Sequence, residues 1–179
     1  MLVPFIDFCL LLGFNIAPKL GAGTKLMNHV RMATPTDSNR IAELYAQLVE
    51  NPAVNVLPEC IAKISADPNT CLFVFEHNGL VEGTALVCLC TDVMFGFQPF
   101  AVVENIVVSQ IYRGRGLGAA LLQHIEGFCL SRDCSKIMLL SSAQRTDAHR
   151  FFERAGFAGS SKQGFVKYRS NFESKHASA

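Results

Sequence analysis

Two arginines and three glycines lie close together near the middle of the chain, directly after a run of apolar and β-branched residues. They are Arg113, Gly114, Arg115, Gly116 and Gly118. Glycine lets the backbone adopt positive φ and approach a ligand, and the first N–H groups of a following helix lack intrahelical partners. With guanidinium groups beside them, such donors form a site for a diphosphate. The alternative interpretation is a basic turn that only connects two elements.

The spacing of these glycines distinguishes between several known phosphate-binding motifs. A nucleotide P-loop needs Lys-Ser/Thr after its last glycine, and a dinucleotide fingerprint needs Gly-x-Gly-x-x-Gly; the sequence has neither. The stretch Val108-Ser-Gln-Ile-Tyr-Arg-Gly-Arg-Gly-Leu-Gly118 instead resembles the acyl-CoA signature of the GNAT family of N-acetyltransferases. That signature is Arg/Gln-x-x-Gly-x-Gly/Ala, and Arg113, Gly116 and Gly118 occupy its defined positions.

A later segment resembles the end of the same family's motif. Ala148-His-Arg-Phe-Phe-Glu-Arg-Ala-Gly-Phe157 is similar to Ala-x-x-Phe/Leu-Tyr-x-x-x-Gly-Phe. Two motifs in the correct order are more specific than one, and the resemblance extends over about residues 27–172. It implies acetyl-CoA as co-substrate. No metal is expected, because no Cys-x-x-Cys or clustered His/Cys pattern has the spacing of metal ligands. The resemblance also implies the residues that hold CoA, namely Ile106, Val107, Val108, Arg113, Gly114, Arg115, Gly116, Leu117, Gly118, Arg145 and Phe151.

The implied reaction is attack of an amine on the acetyl thioester, and it needs a base. An alkyl ammonium with a pKa near ~10 is neutral in only about one molecule in a thousand at pH 7. Glu104, on the strand before the glycines, is the candidate base, acting directly or through a water. The alternative is a carboxylate that orders the strand or pairs with Arg113. The resemblance further implies that the Ile106 amide N–H stabilises the oxyanion.

The leaving thiolate is the point at which the sequence departs from the family. Many members carry a tyrosine as general acid where this chain has Phe152. Either the thiolate leaves unassisted, or the hydroxyl of Tyr168, Tyr45 or Ser142 protonates it. Of these we select Tyr168 as the catalytic candidate.

The elements that must position these residues alternate between helix and strand. Thr34 and Pro35 are typical of a helix start, and Asn78-Gly79 of a hairpin turn. Further helices are predicted from Pro58 to Ala66, after the glycines and after a cap at Thr146 or Asp147. In the helix after the glycines, an apolar stripe is predicted on one face, formed by Leu117, Leu121, Ile125, Phe128 and Cys129. Strands are predicted at residues 29–33, 71–76, 80–91, 100–108, 136–141 and 164–169. The fold class is α/β (α+β), and the resemblance implies a mixed, mostly antiparallel sheet, splayed at its central strands and flanked by about four helices.

Length and composition bound the remaining possibilities. With 179 residues, half of them apolar, the chain can build one domain, which we assign to residues 27–172. Residues 1–26 form an apolar extension of unclear role, too short in its apolar run to span a membrane, and residues 173–179 form a tail. The net charge of +1 does not favour nucleic acid. Seven cysteines, an odd number, favour a reduced cytoplasmic protein.

The sequence therefore predicts an acetyl-CoA-dependent N-acetyltransferase that acts by direct attack in a ternary complex. The acceptor is expected to be the primary amine of a small molecule. Two alternatives remain open: a protein N-terminus or lysine as acceptor, and a non-catalytic acyl-CoA sensor. A homodimer is a further expectation, with the apolar loop at residues 92–99 or the first 26 residues as candidate contacts.

Overall fold

The computed structural model describes residues 28–172, so the predictions for residues 1–26 and 173–179 lie outside the described residues. Within this range the chain forms one five-stranded sheet of order β1-β2-β3-β4-β5. The strands are β1 His29–Met32, β2 Thr70–His77, β3 Leu80–Cys90, β4 Phe100–Val108 and β5 Ile137–Leu139. The helices are α1 Ser38–Leu48, α2 Pro58–Ser65, α3 Leu117–Ser131 and α4 Thr146–Arg154. The predicted fold class is confirmed.

The sheet is antiparallel from β1 to β4, and β5 joins β4 in parallel. The predicted hairpin turn between β2 and β3 is present, with φ of 54° at Asn78 and 80° at Gly79. Both angles lie in the left-handed region that Asn and Gly tolerate best. The turn therefore sets the register in which β2 and β3 begin to pair.

An apolar cluster covers each face of the sheet. Alternate residues of β2 separate the two clusters: Phe73 packs with α3, whereas Val74 packs with α1 and α2. The apolar stripe predicted for α3 is buried, and the residues of α1 that contact the other cluster include Ile41 and Leu44. Because both faces of the sheet are covered, a substrate can reach the sheet backbone where a strand ends and leaves its neighbour unpaired.

Two sequence predictions about the last third of the chain are wrong. Residues 164–169 do not form a strand, and Phe165, Val166 and Tyr168 are 86%, 62% and 69% exposed. Their β propensity is not realised because a strand needs a neighbour with which to pair. The cap of α4 is also displaced by one residue, since the helix begins at Thr146 and Arg145 occupies the cap position.

A buried carboxylate joins β1 to the start of α1. Asp37 is 8% exposed and accepts hydrogen bonds from the Thr34 N–H at 2.7 Å and the Thr34 hydroxyl at 2.9 Å. The Arg31 guanidinium donates to both Asp37 oxygens, at 2.8 and 3.0 Å, and to Glu76 at 2.8 Å. Burial raises the pKa of Asp37, but the bonds from Arg31 and Thr34 outweigh burial and hold this pKa below its ordinary value.

We expect Asp37→Asn to lower the free energy of unfolding by about 1–3 kcal/mol at pH 7, because buried donors lose their charged acceptor. The pKa of Asp37 is lower in the folded chain, so its stabilising effect is complete above the unfolded-state pKa. It is lost as the pH falls through the folded-state pKa. Urea unfolding followed by circular dichroism at several pH values measures both effects.

Asp147→Asn is the matched control, because Asp147 also pairs with an arginine but its side chain is 93% exposed. We expect it to change stability by less than about 0.5 kcal/mol. Equal losses for the two variants, or a loss at Asp37 that does not shrink in acid, would contradict the role of the buried network.

Candidate active site

A bulge in β4 begins at the residue after Glu104. The register between β3 and β4 slips by one residue there, and Asn105 has a φ of 53°. The bulge resets the alternation of side chains, because Val103 and Ile106 both pack towards α3 whereas Val107 packs towards α1 and α2. Glu104 and Ile106 therefore lie close along the backbone but on opposite faces of the sheet.

The sheet opens immediately beyond this point. β5 pairs with β4 only from Ala101 to Val103, so the remaining residues of β4 have no strand beside them on that side. This is the splay that the sequence resemblance implied. A cavity of about 710 Å³ lies in the gap. Its walls include Ile106, Val107, Val108, Tyr112, Arg113, Gly114, Gly116, Leu117, Gly118, Gln144, Arg145, Thr146, Asp147 and Phe151.

The glycine turn forms one end of the cavity. Gly114 and Gly116 have φ of 74° and 87°, and α3 begins directly afterwards with its first residues in the cavity wall. The unpaired N–H groups at a helix start attract anions. Arg113 also lines the cavity, and Arg115 lies over the Tyr112 ring at 5.5 Å. This end of the cavity is suited to a diphosphate.

The first turn of α3 and α4 meet across the cavity. A Cβ added at Gly118 would lie 3.1 Å from the Phe151 ring, so a side chain at this position would push the ring away. Arg145 and Thr146 line the same wall at the start of α4. The structure thus brings every predicted CoA-binding residue except Arg115 to one cavity, and Arg115 lies in the turn beside it.

The turn is supported from behind by α1. The Gln47 side-chain oxygen accepts a hydrogen bond from the Gln110 N–H at 2.9 Å. The neighbouring Ser109 N–H donates to the Glu82 carbonyl at 2.8 Å, and the Glu82 carboxylate receives the Arg40 guanidinium at 2.6 Å. These contacts escaped sequence analysis because they join residues far apart in the chain and belong to no motif.

Neither of the two catalytic candidates, Glu104 and Tyr168, is in the wall of the cavity. Glu104 is half-buried and stands opposite Leu86, which packs towards α1 and α2. Tyr45 packs on that same face; burial raises its pKa and a hydrogen bond with Thr84 lowers it in part. Tyr168, our selected acid, is 69% exposed in the C-terminal segment and does not line the cavity. The structure therefore does not bring it to Glu104.

Sequence analysis missed several wall residues. Tyr112 lies inside the glycine motif, where only its neighbours were assigned a role, and Thr146 was considered only as a helix cap. Among residues 28–172, no group of three or more His, Cys, Asp or Glu side chains is arranged to hold a metal ion. No helix in this same part of the chain is long and apolar enough to cross a membrane.

Known proteins of similar sequence and structure include acetyltransferases. The family model described as "Acetyltransferase (GNAT) family" matches residues 40–157. A glucosamine 6-phosphate N-acetyltransferase of Trypanosoma brucei brucei is 27% identical over 139 residues, which cover 75% of this chain and 91% of that protein.

Solved structures agree. A protein of Agrobacterium tumefaciens named as an acetyltransferase is 30% identical, with a TM-score of 0.71 over 79% of this chain and 99% of that one. An aminoglycoside N-acetyltransferase in complex with CoA superimposes with a TM-score of 0.69 over 83% of this chain and 99% of that chain. At 18% identity, this last similarity concerns the fold alone.

We expect Gly116→Ala to weaken CoA binding about five- to thirtyfold, because a φ of 87° costs a side chain about 1–2 kcal/mol, so the free turn relaxes and CoA binding must restore its conformation. An added Cβ would meet nothing within 4 Å, so the effect comes from the backbone and not from a clash. Isothermal calorimetry with CoA measures it.

Gly127→Ala serves as the control, since Gly127 lies within α3 and its added Cβ also meets nothing within 4 Å. Alanine is favoured in a helix interior, so this variant should keep its CoA affinity and gain stability. Unchanged CoA affinity in Gly116→Ala would exclude the glycine turn from the binding site.

Proposed function

Since the chain belongs to the GNAT family of acetyltransferases, we propose that it moves the acetyl group of acetyl-CoA to the primary amine of a small molecule by direct attack. The observation that carries this proposal is the cavity between β4 and α4. The cavity joins the start of α3, which favours anions, to the part of β4 beyond Val103, which β5 leaves unpaired. CoA consists of a diphosphate with an extended arm, so its diphosphate matches the helix start and its arm matches the unpaired part of β4.

On the donor side, Arg113, Arg145 and the first N–H groups of α3 are proposed to hold the diphosphate. The pantetheine arm then lies along residues 106–108. There it forms hydrogen bonds with the backbone amide groups of β4 that β5 leaves unpaired. The Ile106 N–H is the proposed donor to the thioester oxygen as negative charge develops there. One such donor contributes about 3 kcal/mol of transition-state stabilisation.

On the acceptor side, Glu104 is the proposed base. Its side chain lies on the sheet face opposite the Ile106 side chain, so the amine would reach the thioester carbon from the face of α1 and α2 while the Ile106 N–H binds the thioester oxygen. A thiol nucleophile is disfavoured, because burial raises the pKa of Cys88 and so reduces its thiolate fraction. This supports direct attack by the amine over a covalent acetyl-enzyme.

Phe152 stands where many members of the family carry the tyrosine that acts as general acid. Phe152 is 8% exposed and has no proton to give. Thiolate departure without an acid is consistent with this, because a thiol has a low pKa compared with an alcohol. Tyr168 stays a sequence prediction, and Tyr45 has the advantage that it packs on the same face as Glu104.

An amino sugar phosphate is our first choice of acceptor. The support is the relative from Trypanosoma brucei brucei, named for glucosamine 6-phosphate, which aligns over most of both chains. A cytoplasmic location is proposed on the six cysteines of residues 28–172, all of which are free thiols. A homodimer is proposed with the apolar loop at residues 92–99 as its candidate contact, since Val93, Met94, Phe95 and Phe97 are exposed there.

We expect Glu104→Gln to reduce kcat by about 10²- to 10⁴-fold with little change in the KM for acetyl-CoA, because the amide cannot take the proton. Loss of thioester absorbance is the suitable assay, since thiol reagents would react with the chain's seven cysteines.

Glu59→Gln is the control, because Glu59 is an exposed carboxylate of α2 and should tolerate the same change without effect. If Glu104→Gln keeps the rate of the unmodified protein across the pH range, Glu104 is not the base.

A panel of amines tests the acceptor. We expect glucosamine 6-phosphate to be acetylated at a higher kcat/KM than free glucosamine, spermidine or peptides with free N-termini. Faster acetylation of the peptides would assign a protein acceptor. Tight CoA binding by calorimetry with no thioester loss for any amine would instead identify an acyl-CoA sensor.

A further inference from the structure

The turn at residues 110–116, which leads from β4 to α3, is held weakly by its own backbone. The Arg113 N–H lies 3.4 Å from the Gln110 carbonyl oxygen, and the Arg115 N–H lies 3.3 Å from the Tyr112 carbonyl oxygen. Both distances exceed the usual value of about 2.9 Å. Neither arginine forms an ion pair within residues 28–172. The shape of the turn therefore depends on contacts from other parts of the chain.

Two of these contacts lie on either side of the first residue of the turn. Before it, the Ser109 N–H donates to the Glu82 carbonyl oxygen at 2.8 Å. After it, the Tyr112 ring packs edge-on against the His77 ring of β2, with the ring centroids 4.6 Å apart. The backbone N–H between these two anchors belongs to Gln110.

A side chain from α1 is the acceptor for that N–H. Gln110 begins a short 3-10 helix, Gln110–Tyr112, and the first N–H groups of a helix need acceptors from outside it. The preceding residue often supplies one, but the Ser109 side chain makes no capping hydrogen bond. The side-chain oxygen of Gln47, in the last turn of α1, accepts from the Gln110 N–H at 2.9 Å instead. Gln47 thus acts as a cap from a distant part of the sequence.

We propose that Gln47 is a positioning residue for CoA binding. By fixing the start of the turn, it holds Arg113 and the following glycines in the conformation that receives the diphosphate. This inference rests on the donor site of the proposed function. Gln47 does not line the cavity, so it acts through the turn and not by touching CoA. Its loss should therefore affect the affinity for CoA and not the chemical step.

Gln47→Met tests this, because methionine has a similar length but its thioether is only a weak acceptor. We expect the dissociation constant for CoA to rise about three- to tenfold, the effect of losing one hydrogen bond. The KM for acetyl-CoA should rise with it, while kcat stays unchanged. Isothermal calorimetry measures the first effect, and steady-state kinetics measure the other two.

Gln110→Pro removes the same hydrogen bond from the donor side. Proline is tolerated at the first position of a helix, and the ψ of 134° at Ser109 suits a residue that precedes proline. In this background, Gln47→Met should cause no further loss of CoA affinity, because the bond that it breaks is already absent. An equal loss in both backgrounds, or no loss in either, would overturn the proposal.

Gln123→Met is the matched control, since Gln123 is an exposed glutamine of α3 that does not line the cavity. It should leave CoA affinity unchanged, and a loss as large as that of Gln47→Met would contradict a specific role for Gln47. If the unmodified protein bound no CoA, the proposed donor site would fail together with this inference. If it binds CoA and Gln47→Met binds equally well, only the role of Gln47 is refuted.

Discussion

The short pairing between β4 and β5 is the constraint on which the site depends. Backbone N–H and C=O groups must find partners, and a strand usually finds them in its neighbour. Here the neighbour stops after three paired residues, Ala101 to Val103. The rest of β4 is left with hydrogen-bonding groups at the wall of a cavity. The bulge at Asn105 acts at the same place, since it rotates the following residues and separates the face of Glu104 from that of Ile106.

Support for this arrangement comes from the opposite side of the sheet. Helix α1 contacts the glycine turn through Gln47 and the β3 backbone near the turn through Arg40. Helix α1 also carries Tyr45, which packs on the face of Glu104, so the helix beside the proposed base also contacts the segment that leads into the glycine turn. Hydrogen bonds of this kind join the two halves of the proposed site without any group that takes part in the chemistry.

Local sequence patterns predicted much of this fold. The hairpin at Asn78-Gly79, the start of α1 and the buried stripe of α3 follow from short-range preferences, and all three are present. The glycine motif likewise identified one wall of the cavity. The bulge was not predictable, because its position depends on how β3 pairs with β4. Residues 164–169 are the opposite case. They have the propensity of a strand, but a strand forms only where a second strand pairs with it.

The contact between Gly118 and Phe151 has a thermodynamic consequence. The two cavity walls come from segments that are well separated in sequence, and Gly118 of α3 lies so near the Phe151 ring of α4 that an added Cβ would be 3.1 Å from it. A molecule bound between them bridges α3 and α4 in the folded state only. By mass action, the population of the native chain then rises with the concentration of that molecule. Resistance to proteolysis in the cell would therefore follow the acetyl-CoA level, and so the supply of acetyl groups would influence how long the protein persists.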